Sequence, residues 1–199
     1  MQYREISYKN QEEWLDIRKK GIGGSDAGAI MGKNKYKNII DVWKDKTGRV
    51  QNNFTSPAAQ RGKNLEKNIF NSYKEDHPDK KILEVNKMYI HPKYDFIRAN
   101  LDGEIIYQDK KGILEIKTAT ISKRNKYVEE WQDNIPKSYL YQILHYFLVT
   151  GYEYAVVVSE IKFECFKNEN STPFDLDKRL QTIVINRVDW EDEIQELLN

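Results

Sequence analysis

A single cysteine, Cys165, is all the thiol chemistry in these 199 residues, which excludes an internal disulfide and any four-cysteine zinc or iron–sulfur site. The amino terminus carries no apolar signal segment, and no run of the sequence approaches transmembrane length, so a soluble, cytoplasmic protein without membrane contact is expected. Internal repeats, low-complexity tracts and Pro/Ser-rich linkers are lacking too. One domain over 1–199 is the simplest reading, long enough for a proper core. Bulk positive charge is also missing: 32 Lys and Arg against 31 Asp and Glu leave a net charge of +1. A non-specific DNA coater is thereby excluded, and nucleic-acid contact has to come from local clusters. The candidates are Arg18-Lys19-Lys20, Lys33 to Lys37 and Lys123 to Lys126. Apolar residues are scarce at 39%, and thirteen tyrosines compensate in part, since their rings bury area while their hydroxyls reach an edge.

What is present sorts into alternating elements. Gln11 to Lys20 reads as a helix, with Trp14, Leu15 and Ile17 on its apolar stripe. A Gly-rich bend begins at Gly21, with Ser25 or Asp26 as N-cap of a short helix. Asn38 caps another through Trp43, stopped by Gly48. Pro57 to about Glu75 is a longer helix with Leu65, Ile69 and Tyr73 at spacing four. Strands are expected around Ile82 to Ile90 and Asp95 to Asn100. Pro136 suits a helix first turn, and Tyr139 to Val149 is apolar nearly all round, which predicts burial. Tyr154 to Val158 is a continuous apolar run typical of a central strand. A further strand pair near Ile161 to Phe166 and Thr182 to Val188, then a helix from Asp189 to Leu198, close the chain. The fold class is therefore α/β (α+β), a mixed sheet flanked by helices.

One short pattern carries chemistry. Ile113 to Lys117 alternates, so Leu114 and Ile116 face one side while Glu115 and Lys117 share the other. Asp109 to Gly112 supplies a turn back to Glu104–Tyr107, and Asp102 arrives on the neighbouring strand with Gly103 behind it. Two carboxylates converging on one point repel unless a cation lies between them. Hard oxygen ligands suit Mg²⁺ or Mn²⁺, and a lysine beside such a site orients a water or neutralises charge on a phosphate. The arrangement points to metal-assisted phosphodiester hydrolysis. A solvated hairpin rim is the bland alternative for Glu-x-Lys. His77 and His91 sit beside prolines and read as surface loop residues. His145 reads as a core group or a support for the site, and Trp131 as packing rather than a base-stacking platform.

Four blocks in order give the chain a family resemblance. They are Trp14–Arg18 running into Gly21–Asp26; Arg61–Glu66; Asn100–Gly103 with Leu114–Lys117; and Tyr139–Tyr146. Together, from about Glu12 to Ser159, the chain resembles the phage lambda exonuclease and YqaJ-type viral recombinase family of the PD-(D/E)xK nuclease superfamily. The resemblance implies that Asp102, Glu115, the Ile116 carbonyl and Glu66 hold Mg²⁺, with Mn²⁺ as a substitute. Lys117 would be the catalytic lysine, and Gln142 would steady it and the attacking water. Arg18 and Ser25, seven residues apart, would grip a terminal 5′-phosphate. Asn100 stands where lambda exonuclease has a serine, and its amide can still donate to that phosphate. Leu101-Asp102 replaces the proline-aspartate pair that names the superfamily; only the aspartate binds metal. The activity so implied is that of a 5′-to-3′ exonuclease acting from double-stranded DNA ends. It would be a homotrimeric ring, leave 3′ tails for a single-strand-annealing recombinase, and belong to a phage or prophage in a bacterial host cell. The implied layout is a DNA-end-binding part at about 1–50, a nuclease core at about 57–160, and closing strands and helix at 161–199. An endonuclease of the same superfamily and a non-catalytic DNA-end-binding module are the rivals.

Overall fold

The computed structural model describes residues 3–50, 56–164 and 178–198. In chain order its elements are β1 (Arg4–Ser7), α1 (Gln11–Lys19), α2 (Gly24–Ile30), α3 (Ile39–Lys46), α4 (Pro57–Asp76), β2 (Lys81–Glu84), β3 (Lys87–Ile90), β4 (Arg98–Ala99), β5 (Gly103–Tyr107), β6 (Lys110–Ile121), α5 (Arg124–Glu130), α6 (Lys137–Thr150), β7 (Tyr154–Phe163), β8 (Lys178–Asn186) and α7 (Glu191–Glu196). The main sheet has the order β2-β5-β6-β7-β8, and β1-β3-β4 form a small second sheet. Among the described strand pairs of the main sheet, β6–β7 is parallel and the others are antiparallel, which makes the sheet mixed as the sequence implies. The parallel step needs a crossover, and α5 and α6 supply it.

Alternation along β6 decides which helix each face receives. Leu114 and Ile116 join Val156 and Val158 beneath Ile69, Phe70 and Tyr73 of α4. Ile113 joins Ala155, Val157 and Ile185 beneath Ile143, Leu144 and Phe147 of α6. The all-round apolar character of α6 has a physical reason: Tyr89 and Ala99 of the small sheet, with Ile97 just before β4, pack into the same cluster. Sandwiched this way, α6 is buried from Tyr141 to Thr150 and ends on Gly151 at φ +71°, where glycine escapes the Cβ penalty of a left-handed residue.

Several sequence expectations shift. The Ile82 to Ile90 strand divides between Glu84 and Lys87, its halves entering different sheets. Asp95 to Asn100 shortens to β4, because a turn closed by Ile97 N–H on the Tyr94 carbonyl occupies its start. The hairpin turns at Gln108 and Asp109, with φ of 49° and 62°, rather than at Asp109 to Gly112. A two-residue turn with both central φ positive matches the twist of the flanking strands. β7 runs unbroken through Ser159 and Glu160, since Ser159 is buried and Glu160 pairs with Arg61 of α4. Cys165 and Phe166 lie outside the described residues. The closing helix is shorter than expected, a 3₁₀ turn at Arg187–Trp190 leading into α7. β1 and α5 have no counterpart among the expected elements. His91 is buried rather than on the surface, its Nδ1 accepting the Lys93 and Tyr94 N–H groups. Trp131 packs edge-on against Tyr139 at 2% exposure, as an ordinary core residue.

Candidate active site

The register of β5 on β6 creates the site. β5 begins at Gly103 opposite Leu114, so beyond Leu114 that edge of β6 has no strand beside it. Asp102 takes the place: its Oδ2 accepts the Ile116 N–H at 2.8 Å. A strand residue's N–H and C=O lie on the same edge, so the Ile116 carbonyl faces the same notch. On the α6 face Glu115 is 2% exposed. Its Oε1 accepts from Lys117 Nζ at 2.5 Å and from Gln142 Nε2 at 2.7 Å. Gln142 also accepts from Lys117 Nζ at 3.1 Å and donates to Tyr146 Oη at 2.7 Å. The Tyr139 ring lies 4.7 Å below the ammonium. Lys117 is therefore held from several sides by side chains that are themselves packed.

Electrostatics follow from burial. Desolvation first, and then the nearby Asp102 charge, push the Glu115 carboxyl up to about 8. Asp102 is raised by burial as well. Burial alone would depress Lys117, yet Glu115 and Asp102 outweigh it and keep the ammonium charged. Glu66, on α4, is raised by burial and by Asp102.

A divalent cation is chemically suited to this notch. Among the described residues no three His, Cys, Asp or Glu side chains gather closely enough to hold a metal by themselves. The donors are instead two carboxylates and a backbone carbonyl. Glu115 Oε2 is buried with no hydrogen-bond partner, a costly state for a carboxylate oxygen unless a ligand answers it. Hard oxygens of this kind fit Mg²⁺ or Mn²⁺ held by Asp102, Glu115 and Ile116, with Glu66 on the facing wall.

The residues expected to bind metal, supply the lysine or hold the 5′-phosphate all line a cleft of two adjoining lobes. The small lobe, about 230 Å³, includes Arg18, Ser25, Asn100, Asp102, Glu115 and Gln142. The large lobe, about 860 Å³, shares Trp14, Glu66, Asn100, Asp102, Ile116 and Lys117 with it and continues along α4. Arg18 and Ser25, paired by the family resemblance, are in contact, Nη2 donating to Oγ at 2.7 Å. Asn100 Oδ1 is taken by Tyr8 Oη at 3.0 Å and Trp14 Nε1 at 3.2 Å, which fixes the amide and leaves its N–H₂ end to donate.

Other residues of the site escaped the sequence reading. Asp26, expected as a possible N-cap, is instead the third residue of α2 and 0% exposed; Gly23 is the cap. Its carboxylate accepts the Gly23 N–H and pairs with Lys46 at 2.8 Å and Lys37 at 3.2 Å. Burial alone would raise Asp26, but Lys46, the Gly23 N–H and Lys37 hold it below the ordinary value. Lys46 also donates to the Arg18 carbonyl at 3.2 Å, so it ties the end of α1 to the start of α2. Gly24 and Gly28 are packing residues: a Cβ on Gly24 would meet Tyr146 at 2.4 Å, and one on Gly28 the Ser138 backbone at 2.9 Å. Arg98 lines the small lobe and braces the Ile17 carbonyl at 2.8 Å. Its own carbonyl accepts from His145 Nε2 at 2.9 Å, and burial depresses that imidazole to about 4. His145 is thus a neutral, satisfied core group that supports the site. One signal was available: Arg98, Asn100 and Asp102 alternate onto a single face.

Comparison with known proteins identifies the family and the fold. Residues 13–153 match the family model described as YqaJ-like viral recombinase domain. The uncharacterized protein YqaJ of Bacillus subtilis (strain 168) is 41% identical over 170 residues, covering 80% of this chain and 51% of that protein. The chain thus spans about half the length of that relative. Among solved structures, an alkaline exonuclease (LHK-Exo) from Laribacter hongkongensis shares the fold at TM-score 0.62 and 22% identity, covering 94% of this chain and 91% of its own. A phage related exonuclease from Haemophilus somnus 129PT does so at TM-score 0.57 and 16% identity, covering 92% of each. With its own notch, helical glutamate and paired Arg18 and Ser25 in view, the chain belongs to the YqaJ-like viral recombinase domain family.

Proposed function

We propose that this protein is a Mg²⁺-dependent exonuclease that degrades one strand of duplex DNA from its 5′ end. The supporting observation is that one cleft joins a carboxylate–lysine notch to a guanidinium–hydroxyl pair. A notch by itself would serve any phosphodiesterase. Arg18 with Ser25 adds a grip for an anionic chain end, because a guanidinium forks around phosphate oxygens and a hydroxyl donates to them. At about 230 Å³, the small lobe has room for a terminal nucleotide's phosphate and sugar, not for a continuing duplex.

In this reading Asp102, Glu115 and the Ile116 carbonyl hold Mg²⁺, or Mn²⁺ in its place, with Glu66 assisting. The cation, when bound, supplies the positive charge that polarises a phosphodiester and lowers the pKa of an attacking water. Lys117 donates a hydrogen bond toward the scissile phosphate and stabilises the charge that builds on its oxygens. It is suited to that task because Glu115 and Asp102 keep it an ammonium. Gln142 keeps the Lys117 amine from swinging away, and Tyr146 fixes Gln142 in turn. Arg18, Ser25 and Asn100 hold the 5′-phosphate so that each cut leaves the next bond in register. The 3′ tail left behind would feed a single-strand-annealing recombinase, in a phage or prophage setting. A homotrimeric ring would keep the enzyme on its track.

Digestion of end-labelled duplex tests the proposal. With Mg²⁺, 5′-phosphorylated ends should be consumed faster than 5′-hydroxyl ends, blocked 5′ ends should survive, and EDTA should stop all cutting. Arg18→Ala should erode the preference for phosphorylated ends. Nicking of covalently closed circles would favour an endonuclease, and equal inactivity of wild type and Glu115→Gln a binding module.

A further inference from the structure

The large lobe has no role in the chemistry so far, yet its wall is built from one helical face. Ala59, Gly62, Lys63, Glu66, Lys67 and Phe70 of α4 all line it, the i, i+3, i+4 spacing of a single stripe. Glu66 sits at the lobe's catalytic end, and Lys63 and Lys67 flank it. Several other lysines are engaged with acids: Lys35 with Glu130, Lys37 and Lys46 with Asp26, Lys87 with Glu5, Lys162 with Glu164. Lys63 instead donates to the neutral Gln11 side chain at 3.3 Å. Lys67 has no ion pair or hydrogen bond among the described residues. Both residues are exposed. The acids lining the lobe are Glu66, Glu84 and Asp102; with Glu66 and Asp102 assigned to the cation, Lys63 and Lys67 are the cationic groups that the α4 wall offers to an anionic chain.

From this geometry we propose that the large lobe is a track for the backbone of the strand being cut, on the 3′ side of the scissile bond, with Lys63 and Lys67 on its phosphates. The inference rests on the nuclease reading above and gives the strand a direction. With the terminal phosphate at Arg18 and Ser25 and the scissile phosphate at Asp102, the rest of the strand leaves by the large lobe. Lys63 and Lys67 stand just over one helical turn apart, about 6 Å along the axis, a step of the same order as successive phosphates on a strand. Trp14, shared by both lobes, is positioned against the nucleotide that bridges them.

The test compares wild type with Lys63→Gln/Lys67→Gln on two substrates: a 5′-phosphorylated 20-base-pair duplex and a 5′-phosphorylated dinucleotide too short to reach the lysines. Duplex binding is followed by fluorescence anisotropy across a KCl series in EDTA, where nothing is cut. Each phosphate contact on duplex DNA contributes about 0.9 to the slope of log K against log salt, so the double variant should lose about 1.8. With Mg²⁺, KM for the duplex should rise at least about fivefold more than KM for the dinucleotide. Parallel salt slopes, or equal rises in both KM values, would overturn the track. Wild-type protein that cuts neither substrate would instead remove the nuclease reading, and the salt slope would still decide whether the lysines hold phosphates.

Discussion

Glu115→Gln should make the metal-free protein more stable while removing the proposed nuclease activity, and the gain should depend on pH. In the fold Glu115 titrates at about 8 against an ordinary 4.5, because it is buried beside Asp102. Each pKa unit corresponds to about 1.4 kcal/mol, so ionising Glu115 inside the protein costs on the order of 5 kcal/mol relative to the unfolded chain. An acid whose folded pKa is raised is deprotonated first in the unfolded state. Wild-type stability therefore falls as pH climbs from about 4.5 and levels off above about 8. The amide cannot ionise, and its oxygen still accepts from Lys117 and Gln142. Its N–H₂ replaces the partnerless Oε2 at a smaller penalty than a buried charge. Urea unfolding in EDTA at pH 5 and pH 9 reads the difference, since groups away from the notch cancel. The variant should match wild type within about 1 kcal/mol at pH 5 and exceed it by a few kcal/mol at pH 9. Added Mg²⁺ or Mn²⁺ should raise the wild-type midpoint and leave the variant's nearly still. A gap that stays flat with pH, or a variant less stable at pH 9, would refute the argument that this notch stores unanswered negative charge.

Lys117→Ala should abolish turnover while duplex affinity in EDTA changes less than about threefold, since its main contribution comes in the transition state; single-turnover assays and anisotropy read the two separately. Lys46→Met should cost about 2–3 kcal/mol in urea unfolding, below the usual range for a broken buried pair because Lys37 still reaches Asp26. It should also reduce the preference for 5′-phosphorylated ends, because Arg18 and Ser25 lose the side chain that ties their helices; Lys46→Arg should restore it. Gly24→Ala should destabilise by about 1–3 kcal/mol and lower kcat, because the new methyl meets Tyr146 at 2.4 Å and Gln142 at 3.0 Å; thermal melts and steady-state kinetics check both.

Local pattern made much of this protein legible. The alternation of Ile113–Lys117 states which side chains share a face, and a strand's geometry leaves little freedom in that. Asn38, Pro57 and Gly151 mark helix ends through backbone chemistry that acts within a few residues. Arg18 and Ser25 came together at the spacing the resemblance implied. What a sequence pattern does not carry is which distant surface an element meets. Gly24 reads as a loose bend until α6 is laid against it, and Asp26 reads as a cap until Lys46 arrives from another helix. The Ile82 to Ile90 run looks like one strand, because nothing local says that its halves have different neighbours. The primary structure thus determined most of the elements, the residues of the notch and the order of its parts. Tertiary packing decided the burial that perturbs Glu115, the struts beneath Arg18, and the single cleft that collects them, because desolvation and contact depend on neighbours that the chain brings from far along its length.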